Sequence, residues 1–339
     1  MKTNRTIKVL FAVGITMIGI YFINSSEIIS NGAKYGIDLC IKSVIPSLYI
    51  FTILCLFIIK CEVFNDPIFS FFTKVLLGVK RDIGIVYFLS LFCGYPIGAM
   101  LINELFGIHK ISRKDAEKML LFSTNPGPSF CISSIGAGCY NNVELGLILY
   151  LSCIFSSIIC IRIYHPKENQ TKNIKQSYVN YKDGFLSSIE GANKAMISIC
   201  GWVVLSSSII YILNSLNIDS PLVFAIEVTA GAVFASKKYS IFIVAFLLGF
   251  GGLSIHLQIL SNANNIKPNY IKILISRIIH GILSMLTMYI LLKLFPQELS
   301  VSSIKLIATN ENNSIFSAFC LVAFVCTSLI FLQNRIKQR

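Results

Sequence analysis

Five stretches of this chain, Ile83 to Asn103, Met119 to Val143, Ala195 to Ile218, Tyr239 to Ile266 and Asn312 to Asn334, contain no Asp, Glu, Lys or Arg. Each reaches the roughly 20 residues with which a helix crosses the hydrocarbon of a bilayer. A backbone in lipid must satisfy its own hydrogen bonds, so several such stretches predict an all-α, polytopic transmembrane helix bundle. Composition agrees: 55% of residues are hydrophobic and 13% charged, where a soluble domain carries about 25% charged. Lys2, Arg5 and Lys8 precede the apolar run Val9 to Ile23, a layout shared by signal peptides and first membrane helices. The many later spans favour an uncleaved first helix.

Ten apolar passages follow, near 7 to 29, 39 to 60, 83 to 103, 118 to 138, 143 to 161, 195 to 213, 220 to 236, 239 to 260, 270 to 294 and 315 to 333. The polar, basic stretch 162–194 divides them into a first half, 1–161, and a second half, 195–339. The positive-inside rule places this linker and both basic termini on the cytosolic side. Five full crossings per half cannot do that, so one passage in each half is expected to enter and leave by the same face. About eight spans plus two re-entrant or broken helices result. The halves also resemble each other at a shift of 158 residues: FLSLFCGYPIGA from Phe88 lies over FLLGFGGLSIHL from Phe246, with five of twelve positions identical. Transporters are often built from such repeats, with the solute at the repeat interface and helices broken in corresponding places.

The breaks are written in glycine and proline. Cys93-Gly94-Tyr95-Pro96-Ile97-Gly98 sits within a membrane-length run, where proline removes an amide donor and glycine admits non-helical angles. A break there must be buried in protein or line a watery cavity; a kinked span is the plainer alternative. Thr124-Asn125-Pro126-Gly127-Pro128-Ser129 is a second break, with side-chain hydrogen-bonding groups around two prolines. A half-helix starting near Pro128 would aim free amides and its positive dipole end at an anion, whereas a tight turn between spans is the competing reading. In the second half Gly249, Gly251 and Gly252 precede Ser254, His256 and Gln258. A histidine at that depth either serves a solute or coupling proton or is hydrogen-bonded to a carbonyl. Glu227, with Thr229 close by, lies in the apolar run Pro221 to Gly231 and reads as a proton or cation site or as a helix end at the interface. The substrate-binding candidates are therefore Gly94, Tyr95, Pro96, Gly98, Asn125, Gly127, Ser129, Gly251, Gly252, Ser254, His256 and Gln258, with Glu227, Thr229 and His256 as candidates for a coupling ion.

Other chemistry lacks support. The eleven cysteines include no CxxC and lie mostly in apolar runs, where a thiol behaves as a small hydrophobe. The histidines His109, His165, His256 and His280 lack metal-ligand spacing. There is no Walker loop, HExxH or GxSxG, so no cofactor, metal or enzyme activity is expected. The net charge of +13 marks loop topology and contact with anionic lipid, or attraction of an anionic solute. The expected partners are the bilayer and a small anion, with no nucleic acid and no oligomeric state specified.

The blocks GYPIGA (Gly94 to Ala99), NPGPSF (Asn125 to Phe130), FAIEVTAG (Phe224 to Gly231) and FGGLSIHLQ (Phe250 to Gln258) resemble those of the YlbJ family of sporulation integral membrane proteins, also called stage V sporulation protein SpoVV. The resemblance covers roughly residues 30 to 295 and implies duplicated Gate (nucleoside-recognition) domains. It further implies a dipicolinic acid transporter of endospore-forming bacteria in the outer forespore membrane, moving its solute from mother cell toward forespore. The proline-rich Asn125-Pro126-Gly127-Pro128 departs from the Ser/Gly-Pro block expected there. A nucleoside or other metabolite carrier on the same scaffold, a non-transporting scaffold of the spore envelope and a polytopic lipid-modifying enzyme are the alternatives.

Overall fold

A computed structural model describes residues 2–61, 63, 71, 73–75, 77–79, 81–164, 180–216 and 221–297. The passage near 315 to 333 and His165 fall outside them. The described residues are helical and contain no strand, and five of their helices are long and apolar enough to cross a membrane.

Helix α1 (Lys2–Asn24) leads into α2 (Ser26–Leu39), which continues through a π-helical turn, Cys40–Val44, into α3 (Ile45–Lys60). Pro46 causes the turn, because it offers no amide to the carbonyl four residues back and its ring crowds that carbonyl. The ladder widens instead of breaking, and the Ile45 amide donates to Cys40, five residues back. The resulting 35-residue rod, Ser26–Lys60, packs along a second rod of 35 residues, α9 (Tyr181–Ser215). Small residues permit the close approach usual between membrane helices: a Cβ on Gly32 or Gly36 would sit 2.7 Å from the Cα of Ser208 or Val204.

The intervening chain forms α4 (Arg81–Cys93), α5 (Ile97–Gly107), α6 (Arg113–Met119), a π-helical run Phe130–Ala137 ending in the single turn α7 (Gly138–Tyr140), and α8 (Val143–Tyr164). After α9 come α10 (Pro221–Phe224), α11 (Val228–Lys238), α12 (Ile241–Phe250), α13 (Gly252–Asn262) and α14 (Tyr270–Leu294). The first turns of α9 lie inside the stretch read as a linker and are docked on α3. There Tyr49 donates to Asn193 at 2.7 Å and the Lys60 ammonium donates to the Ser187 carbonyl at 3.1 Å.

Among the described residues four passages are broken, one more than the three Gly/Pro breaks named above. Chain 81–107 breaks at Gly94-Tyr95-Pro96, 113–140 unwinds at 124–127, 221–238 opens at 225–227, and 241–262 breaks at Gly251. Helices α8 and α14 flank them, joined by polar contacts of the kind that glue membrane helices: Ser156 to Ser284 at 2.8 Å and Thr287 to the Ser152 carbonyl at 2.9 Å.

Candidate functional site

Each break leaves backbone groups without helical partners, and in a membrane interior each orphan costs several kcal/mol. The fold answers by bringing the breaks together in pairs. Gly94, with φ of +70°, lies against the second break: a Cβ there would be 2.8 Å from the Gly127 amide nitrogen. Gly98 lies directly over the Ser123 carbonyl, where a Cβ would clash with the oxygen. Pro96 forms the entry to α5, following a cis peptide bond from Tyr95. Gly127 thus abuts the GYPIG turn, while Asn125 is buried and Ser129 is half-buried at the start of the helical run 128–140.

The second half solves the same problem with backbone. Gly251 and Gly252, with φ of +83° and +72°, turn the chain so that the amides of Leu253 and Ser254 donate to the carbonyls of Ala225 and Ile226 at 2.8 and 2.9 Å. Glu227 is the cap of α11. Its two carboxylate oxygens accept from the amides of Thr229 at 2.9 Å and Ala230 at 2.6 Å, and the residue is 1% exposed. The geometry therefore gives Glu227 a structural duty, of the kind normally filled by shorter Asp or Ser at a helix start. Glu227→Gln keeps one acceptor and turns an NH2 toward the other amide, so it should cost about 1 kcal/mol of stability. A thermal unfolding curve checks this: stability unchanged from wild type would remove the capping duty.

Among the described residues the breaks of the first half show no such backbone pairing and are held by side chains from α14. Ser276 donates to the Leu121 carbonyl, and the Arg277 guanidinium donates to Leu121 at 2.9 Å and to Thr124 at 2.5 Å. Asn125 donates its Nδ2 to Phe122 at 3.2 Å. Arg277 is fully buried, and among the described residues no carboxylate lies within ion-pair distance of it. Sequence reasoning missed this arginine. The usable signal was the face that Arg277 shares with Ser276, His280 and Ser284 on an apolar helix.

His256 is fully buried, with Nε2 3.0 Å from the Phe250 carbonyl and its ring against Phe250 and Tyr270 at centroid distances of 4.6 and 6.2 Å. A carbonyl only accepts, so Nε2 carries the hydrogen and Nδ1 is left as a lone pair. Nδ1 has no partner among the described residues, and neither do Asn125 Oδ1, the hydroxyls of Tyr95 and Ser254, the Gln258 amide or Arg277 Nε. Buried polar atoms are nearly always satisfied, so these orphans and the buried Arg277 mark the candidate site.

Comparison with known proteins agrees with a membrane protein. The chain is similar to a sporulation membrane protein. That relative, the sporulation integral membrane protein YlbJ of Bacillus subtilis (strain 168), is 22% identical over 302 residues, covering 74% of each chain. No family model matches, and no solved structure does. Together with five membrane-length apolar helices, the likeness to YlbJ supports an integral membrane protein.

Proposed function

We propose that this chain is a carrier of a small organic anion, dipicolinate, moving it from mother cell toward forespore across the outer forespore membrane during sporulation. The observation that carries the reading is Arg277: a fully buried guanidinium without an acidic counterpart among the described residues, bonded to the Leu121 and Thr124 carbonyls at the second helix break. A buried ionisable group in a membrane protein marks a solute path or a partner, and here the missing partner is an anion. The relative's role in sporulation, as its name states it, selects the anion through the family resemblance.

In this reading two related halves, with about eight full crossings and the broken passages between them, expose a midplane site to each side in turn. His256 is the coupling candidate, with Glu227 and Thr229 holding the break beside it. The reading is tested by uptake of labelled dipicolinate into proteoliposomes containing the purified chain, with uridine and a simple dicarboxylate as competitors. Saturable uptake that uridine does not inhibit is the expected result; absent uptake, or uptake of uridine instead, would reject it.

The topology makes its own prediction. In a background cleared of native thiols, single cysteines at positions 172 and 335 should react with an impermeant reagent from the same side. Labelling from opposite faces would remove the case for segments that fail to cross.

A further inference from the structure

The contacts between helices fix the direction in which each one runs. Helices α8 and α14 are antiparallel, since Asn142 donates to Gln297 at 3.3 Å at one end and Ser156 meets Ser284 at 2.8 Å midway. The end of α8 and the start of α14 therefore share a face, the linker face, from which 162–194 departs. The chain before α14 lies on the chain around the end of α5: the Asn265 amide donates to Asn103 at 3.2 Å, and Arg113 donates to the Lys267 carbonyl at 3.4 Å. Helix α5 thus ends at the linker face. Helix α4 begins there as well, because it runs against α8. A Cβ on Gly78 would lie 2.8 Å from the Arg162 guanidinium, the hydroxyls of Tyr87 and Ser157 are 2.6 Å apart, and Tyr150 donates to the Leu91 carbonyl at 3.0 Å. Chain 81–107 therefore enters from the linker face, turns at Gly94-Tyr95-Pro96 and leaves by the same face.

Chain 221–238 does the same from the far face. Helix α12 runs against α14, with the Phe242 and Tyr289 rings 6.2 Å apart and a Cβ on Gly249 2.8 Å from the Gly281 Cα, so α12 starts at the far face. Helix α9 ends there, being antiparallel to the rod Ser26–Lys60: Gly32 lies on Ser208, and Lys60 bonds Ser187. The Lys60 end of that rod belongs to the linker face, 3.8 Å from Glu104 of α5. Near the other end Phe234 of α11 packs on Tyr35 and Tyr211 at centroid distances of 5.6 and 6.4 Å. The turn at 225–227 meets Gly252, just beyond the level of Gly281, midway along α14.

Resting on the carrier reading above, we infer that 81–107 and 221–238 are re-entrant hairpins inserted from opposite faces and that each is the gate of its own side. Each tip closes on the break of a crossing passage, the first on 124–127 and the second on Gly251-Gly252. Moving one hairpin exposes the break beneath it to one face, while the other break stays covered. Among the described residues the order of long helix, hairpin, broken crossing and unbroken crossing occurs twice, in opposite sense. It runs first as Ser26–Lys60, 81–107, 113–140 and α8, then as α9, 221–238, 241–262 and α14. That is an inverted repeat, the arrangement that gives a carrier equivalent gates on its two sides. The 158-residue alignment instead lays a hairpin over a crossing.

Two measurements on the full-length chain, cleared of native thiols, test this. In the first, single cysteines at positions 81 and 109 should react with an impermeant reagent from the same side as one at 172, and cysteines at 216 and 237 from the opposite side. Either pair split between the faces, or all four positions on one face, would overturn the hairpins. In the second, a reducible bifunctional thiol reagent joins Lys60→Cys to Glu104→Cys, or Tyr211→Cys to Phe234→Cys, in proteoliposomes taking up labelled dipicolinate. Each cross-link should lower uptake at least tenfold relative to the same variant before linking, and reduction should restore it. Undiminished uptake with either cross-link formed would overturn the gate assignment while leaving the carrier standing. Absence of uptake by the wild-type chain would overturn the gates together with the carrier reading, and the labelling pattern would still decide the hairpins.

Discussion

Arg277→Gln is expected to abolish anion uptake. Removing one partner from a buried, charge-assisted contact costs about 2–5 kcal/mol, much of it from the charge left behind, and each 1.4 kcal/mol is tenfold. Flux at subsaturating dipicolinate should therefore fall by roughly 30-fold or more. The glutamine amide can still donate to one of the carbonyls that Arg277 holds, Leu121 or Thr124, so protein abundance in the membrane should remain measurable. Arg277→Lys restores the charge as a point without the planar fork and should recover part of the flux. Uptake by Arg277→Gln at the wild-type rate, with normal abundance, would sink the assignment of the anion to this guanidinium.

Gly94→Leu and Gly252→Leu should also eliminate transport, for a different reason. Both glycines have positive φ, +70° and +72°, a region that costs other residues about 1–2 kcal/mol. Added to that is contact with immovable backbone: a Cβ would lie 2.8 Å from the Gly127 nitrogen in one case and 3.0 Å from the Val228 nitrogen in the other. The paired breaks must then separate, and the orphan groups they enclose lose their arrangement. Gly107→Leu is the control, since nothing lies within 4 Å of a Cβ there. Flux should vanish in the first two variants and persist in the third, with all three present in the membrane. Equal flux in all three would mean that the breaks are passive kinks.

The breaks at Gly94, at 124–127 and at Gly251 were legible because glycine and proline act on the backbone locally, and no distant residue is needed to read them. The opening at 225–227 carries neither residue type, and its cause is the long-range pairing of Leu253 and Ser254 with Ala225 and Ile226. Glu227 was visible as an oddity in apolar sequence, but its capping bonds reach only two and three residues ahead, a pattern the sequence does not separate from an ion site. Arg277 was hidden by its surroundings. A lone arginine seven residues into a 25-residue helix reads as an interfacial cation, and only the fold brings the carbonyls of Leu121 and Thr124 onto it. The linker, too, was defined by its charge, while Tyr49 and Lys60 on α3 decide that its second part is docked helix.

The bonds from α14 to the first half bear on biogenesis. An arginine at the centre of a lone helix costs about 2.5–3.5 kcal/mol at insertion, and α14 also carries His280. Its acceptors lie between 127 and 156 residues earlier in the chain, at Leu121, Thr124 and Cys153. Ribosomal synthesis delivers those carbonyls to the membrane first, so when α14 leaves the translocon its receptors are already in place. Vectorial order thus supplies what the helix lacks by itself, and a circular permutant that presented α14 ahead of α4–α8 would be the arrangement least able to insert it.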